Sequence, residues 1–178
     1  MTSLIFWTAG WTLFNGIRDT LPVLLAALIH ECGHALSCRI LRVPIRFFHP
    51  VAVGAVIGYD AVSLSYKKEI AIAVAGPLLN LLCAVSVFGV KSRFGALFGI
   101  SSLGLAFFNL LPLRRLDGGV ILYAAVASVW EADCAEKIAR AVSGIGTVFL
   151  WMCAVAVQLR CGGNLSLLLI SVYLLICI

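Results

Sequence analysis

The chain has 178 residues, of which 62% are hydrophobic and 12% charged, with a mean hydropathy of +1.09. A soluble domain of this length is about half apolar and a quarter charged, so the composition excludes an ordinary water-soluble globule and indicates an integral membrane protein small enough for one domain. The net charge of +5 does not indicate nucleic-acid binding, because the basic residues come in ones and twos at the ends of apolar segments: Arg39 and Arg42, Lys67 and Lys68, Lys91 and Arg93, Arg114 and Arg115. That is the pattern of topology signals facing anionic lipid headgroups.

The first apolar segment, Leu4–Ile17, has no basic residue before it and no small-residue cleavage pattern. It reads as a retained helix, not a removed signal peptide. The second, Leu21–Leu41, reaches the roughly 20 residues a spanning helix needs. It carries His30-Glu31-Cys32-Gly33-His34 in its interior. From Val43 to Lys67 the character changes: Pro44, Pro50, Gly54, Gly58 and Asp60 punctuate partly alternating β-branched and aromatic residues such as Val51, Val53, Val56, Ile57 and Tyr59. Turn residues between short alternating runs predict a small β element, at the membrane surface or dipping into it. An edge strand there could hold an extended peptide.

Apolar character returns at Ile70–Val90 and Phe94–Leu113, then at Val120–Trp130, Ala141–Leu159 and Leu165–Ile178. Val120–Trp130 is too short to span alone. Phe94–Trp130 therefore reads as one broken crossing with Pro112–Gly119 irregular at its centre, which is tolerated where protein or a water-filled cavity covers the backbone. The expected fold is an all-α polytopic membrane protein with about six transmembrane helices, or seven if Val120–Trp130 crosses with its flanks, and a small β element after the helix that carries the two histidines. Residues 1–178 are expected to form one membrane-embedded domain with no soluble appendage. With six crossings, Arg39, Arg42, Arg46, Lys67 and Lys68 share one side, while Arg18, Lys91 and Arg93 lie on the other. The more basic side is expected to be cytoplasmic, with the N-terminus there too.

His30 and His34 stand four residues apart, so a helix puts both imidazoles on one face within reach of one ion, and Glu31 between them can serve as a base. In a soluble helix this pattern is often a solvated face. Here that face would meet lipid, and intramembrane charge marks a functional site by default. A catalytic zinc site uses three protein ligands, so a third must come from elsewhere. Of the eight acidic residues, only Glu31 and Asp117 are embedded in apolar sequence. Asp117 follows Pro112 and precedes Gly118 and Gly119, where a broken helix and close backbone approach let a carboxylate turn inward. The alternative for Asp117 is an ion pair with Arg114 or Arg115. His49, alone beside Pro50, reads as a surface or headgroup-facing residue. Seven cysteines form no Cys-x-x-Cys pair, which argues against thiolate zinc binding.

Three motifs in order now resemble the site-2 protease family of intramembrane zinc metalloproteases. His30-Glu31-Cys32-Gly33-His34 matches the zinc helix, and Ala75-Gly76-Pro77-Leu78-Leu79-Asn80 is similar to the family's Gly-Pro-x-x-Asn segment. Asn109-Leu110-Leu111-Pro112 with Leu116-Asp117-Gly118-Gly119 is similar to its Asn-x-x-Pro and Leu-Asp-Gly segment. The motifs frame residues from about 21 to 130, the family's three-helix core, and the chain looks most similar to small bacterial members of the sporulation-protease type, without a PDZ-like or CBS-like domain. The resemblance implies one zinc per chain held by His30, His34 and Asp117, with Glu31 as general base and Asn80 and Asn109 on the substrate backbone or scissile carbonyl. It implies cleavage of transmembrane protein substrates in regulated intramembrane proteolysis, in a bacterial cytoplasmic membrane, with the site nearer the cytoplasmic face and a membrane regulatory partner as a further expectation. Arg114-Arg115 departs from the family, which usually has uncharged residues there; the two cations either compete with zinc for Asp117 or face headgroups. Rival readings are an inactive relative that binds membrane partners and a small metal transporter.

Overall fold

The structure, a computed structural model, describes residues 17–51, 54–59 and 64–161. The apolar segments expected at Leu4–Ile17 (Ile17 apart) and Leu165–Ile178 lie outside the described residues, as does Asp60. In chain order the elements are α1 (Ile17–Ile40), β1 (Ile45–Val51), β2 (Gly54–Tyr59), α2 (Tyr66–Ser86), α3 (Arg93–Asn109), α4 (Asp117–Ala127) and α5 (Ala132–Cys161). Among the described residues, three helices are long and apolar enough to cross a membrane: Asp19–Ile40, Tyr66–Ser86 and Ala132–Val157. The chain divides after Asn109 into two compact units.

In the first unit α1, α2 and α3 pack against one another pairwise. Asp19 lies in the first turn of α1 and Arg39 in its last, each complementing the helix dipole. The helix ends in a Schellman turn: Val43 N–H donates to the Cys38 carbonyl at 2.8 Å and Arg42 N–H to the Arg39 carbonyl at 3.2 Å. Arg42 takes the left-handed conformation this requires, with φ +54°. The apolar contact that accompanies such a turn is present, since Cys38 and Val43 are buried together with Ile72 of α2. Pro44 then prevents resumption of the helix. The strands β1 and β2 pair antiparallel, Val51 opposite Gly54 and Ile45 opposite Tyr59, with an irregularity between Ile45 and Phe47. β2 packs on α1.

α3 is capped by Ser92, whose Oγ accepts from Gly95 N–H at 3.0 Å. Arg93 pairs with Asp19 at 2.5 Å, tying the start of α3 to the start of α1. In the second unit α4 packs on α5. The sequence puts the irregular stretch at Pro112–Gly119; the non-helical run is instead 110–116, and Gly118 and Gly119 belong to α4. The reason is steric. A Cβ on Gly118 would run into the Leu110 and Leu111 carbonyls, and one on Gly119 into the Leu113 carbonyl. The two glycines thus let the loop fold back over a helix that has already begun. α5 also begins earlier than the apolar segment at Ala141, and the charges of its first turns are paired: Glu136 with Arg140 at 3.1 Å and with Arg114 of the preceding loop at 2.7 Å.

Candidate metal centre

α1 carries His30, Glu31 and His34 in its interior, and α2 lies against that face in the opposite direction. The face of α2 is built from Ile72, Gly76 and Asn80, spaced four residues apart and all buried. The two helices approach closely because glycines meet at the crossing. A Cβ on Gly33 would stand 2.6 Å from the Ala75 carbonyl oxygen and 2.9 Å from the Gly76 Cα. A Cβ on Gly76 would overlap His34 Nε2 and stand 3.0 Å from His30 Cε1. The space beside Gly76 is therefore the space the imidazoles occupy.

His30 and His34 are buried, with relative exposures of 5% and 8%. Their rings meet edge to face at a centroid distance of 4.8 Å and 82° between planes. The two Nε2 atoms stand 3.1 Å apart. With metal–nitrogen bonds of about 2.0–2.1 Å and a tetrahedral angle, two ligand nitrogens lie about 3.3 Å from each other. The pair therefore fits a shared zinc ion. His34 Nδ1 lies 2.8 Å from the Ile72 carbonyl, to which it donates as Nδ1–H. That bond fixes the tautomer whose Nε2 carries the lone pair, as in metal-bound histidines. His30 Nδ1 lies 3.3 Å from the Asn80 amide. Pro77, one residue after Gly76, has no N–H for the Ala73 carbonyl and loosens the helix beside these contacts.

Glu31 is half-buried next to the pair, and Cys32 is exposed. Asn109, at the end of α3, is buried at 8% exposure and donates its amide N–H to the Leu105 carbonyl of its own helix at 3.0 Å. In the second unit Asp117 is the first residue of α4 and half-buried. The loop before it is pinned to α5, since Arg114 N–H donates to Ser143 Oγ at 2.9 Å and buried Leu113 fits against Gly146. The Arg114 guanidinium is engaged by Glu136, and Arg115 is exposed. Gly33, the Ile72 carbonyl and Ser143 carry no role in the sequence reading. The four-residue spacing of Ile72, Gly76 and Asn80 is the signal that could have revealed the α2 face.

Residues 89–153 match the family described as Peptidase family M50. Stage IV sporulation protein FB of Bacillus subtilis is 37% identical over 124 residues, covering 62% of this chain and 41% of that protein. A zinc metalloprotease of Methanocaldococcus jannaschii is 26% identical over 148 residues, covering 78% of this chain and 40% of that protein. The chain thus spans about two fifths of the length of these curated relatives. The solved site-2 protease from Methanocaldococcus jannaschii shares the fold with a TM-score of 0.75 at 20% identity, covering 97% of this chain and 83% of that one. The chain therefore resembles the M50, or site-2 protease, family in sequence, and in fold along nearly its whole length.

Proposed function

We propose that this chain is an intramembrane zinc metalloprotease that hydrolyses peptide bonds in or near transmembrane segments of membrane-protein substrates. The observation that carries the reading is the pair of buried imidazoles whose Nε2 atoms converge to 3.1 Å between apolar helices. Ionisable side chains inside an apolar span mark a functional site by default. One zinc per chain is assigned to His30 and His34, with Asp117 as third ligand. The relative named as a zinc metalloprotease, and the similarity to a sporulation protein, support the assignment.

Zinc in such a site acidifies water and polarises a peptide carbonyl. Glu31 is assigned as the general base that takes the attacking water's proton and returns it to the leaving amine. Asn80 and Asn109 are assigned to the substrate backbone or the scissile carbonyl. A substrate helix must unwind to expose its carbonyls, and the strands Ile45–Val51 and Gly54–Tyr59 offer an edge on which an extended segment can be held. Residues 1–178 are taken as one catalytic domain with six crossings, its core at about 21–130, in a bacterial cytoplasmic membrane with the site toward the cytoplasm. Regulated proteolysis under a membrane regulatory partner belongs to the same reading.

The test uses wild type, Glu31→Gln and His34→Ala, purified in detergent and incubated with a panel of single-span membrane proteins. Wild type should bind one zinc and cut. Glu31→Gln should bind zinc without cutting, and His34→Ala should do neither. Cutting by Glu31→Gln at the wild-type rate would sink the assignment. Zinc in wild type with no cutting of any substrate would favour a binding role.

A further inference from the structure

Asn80 is the largest side chain that the described residues bury completely, at 0% exposure. A buried amide is costly unless it is hydrogen-bonded. The amide reaches His30, with Nδ2 placed 3.3 Å from Nδ1, while Oδ1 has no partner among the described residues. The two ends of an amide are told apart only by their hydrogen bonds. The chemistry of His30 decides which end belongs there. Its Nε2 is the atom that converges on Nε2 of His34. If Nε2 faces an ion, Nδ1 holds the proton and is a donor. An NH2 group against that donor is repulsive, and half a turn of the amide replaces it with the acceptor Oδ1.

On the zinc reading above, we propose that Asn80 is a positioning residue, its Oδ1 accepting from Nδ1–H of His30 and holding that ring with Nε2 toward the metal. The structure contains the counterpart of this device one helical turn away, where the Ile72 carbonyl accepts from Nδ1–H of His34 at 2.8 Å. α2 thus orients both imidazoles of α1, one through its backbone and one through a side chain eight residues on, with Gly76 between them to admit the rings. Such outer-shell partners fix tautomer and ring orientation, and their loss costs about 10–100-fold in metal affinity. After the half-turn, Nδ2 occupies the end that has no partner among the described residues.

The experiment measures zinc affinity of the full chain in detergent by chelator competition, with zinc as the only ligand, for wild type, Asn80→Asp and Asn80→Leu. Asp keeps the acceptor and removes the NH2 donor; Leu keeps the branching, with bulkier methyl groups, and removes both. Asn80→Leu should bind zinc about 10–100-fold more weakly, and Asn80→Asp within about threefold of wild type or more tightly. Asn80→Leu equal to wild type, or Asn80→Asp as weak as Asn80→Leu, overturns the role while the zinc reading stands. Absence of zinc from wild type overturns the zinc reading and the positioning role with it. If Asn80→Leu loses helix content, 15N spectra of zinc-loaded wild type decide: a His30 Nδ1–H that is slow to exchange and shifted downfield by a hydrogen bond supports the role, and an Nδ1–H without that signature, or a proton on Nε2, overturns it.

Discussion

Replacing Gly76 with Ala introduces one methyl group at the crossing of α1 and α2. The new Cβ would overlap His34 Nε2 and stand 2.6 Å from its Cε1 and 3.0 Å from His30 Cε1. Carbon atoms settle at about 3.5–4.0 Å from such neighbours, so the His34 ring must retreat by about 1 Å. Zinc ligation tolerates about 0.2 Å. The ring therefore either leaves the ion or α1 and α2 part, which gives up the close approach of Gly33 to the Ala75 carbonyl and the Gly76 Cα. Zinc affinity should fall by at least about 100-fold, and overpacking should cost about 1–3 kcal/mol of stability. Gly104→Ala is the control, because nothing lies within 4 Å of a Cβ there. It should bind zinc like wild type and unfold at the same or a slightly higher temperature. Zinc affinity comes from chelator competition and stability from thermal unfolding in detergent. Gly76→Ala binding zinc as tightly as Gly104→Ala would refute the close approach from which the site is derived.

Arg42→Gly should raise stability by about 1 kcal/mol in thermal or denaturant unfolding, because glycine takes the left-handed position at the end of α1 without the cost borne by Arg42. Ser143→Ala should lower it by about 0.5–1.5 kcal/mol, since Arg114 N–H loses its acceptor on α5; the same unfolding assay reads it. Asp19→Asn should cost no more than about 1 kcal/mol in 0.15 M salt, and the deficit should shrink in about 1 M salt, because the pair with Arg93 is partly exposed and screened.

The helix that carries the two histidines is legible in the sequence because a period of 3.6 residues brings His30 and His34 to one face whatever surrounds them, and because polar groups stand out in an apolar span. Its supporting face on α2 is less legible. An imidazole seated against a glycine Cα and a backbone carbonyl leaves little trace in residue type: the motif contains Gly76 without its space-making role, and the Ile72 carbonyl declares itself only once α1 and α2 are packed. Arg114 illustrates a second limit. Two adjacent cations near Asp117 read as competitors for its carboxylate or as headgroup-facing residues, while the partner that engages Arg114, Glu136, lies on α5 22 residues away in sequence. Hydropathy likewise places the start of the last described helix at Ala141, nine residues after α5 begins, because it counts the charges of Glu136 and Arg140 and not their pairing. Proline and paired glycines mark the break before Asp117, yet which of those residues are helical depends on carbonyl contacts that composition does not encode.

The central claim is hydrolysis at a zinc site held by this chain, and its most direct test is cleavage of a single-span membrane protein before and after metal removal. One detergent preparation is stripped with a chelator, freed of it, and restored with zinc alone, while fragments are identified by mass spectrometry. Cutting should disappear with the zinc and return at about one zinc per chain in wild type. Cutting that survives complete removal of zinc would contradict the claim.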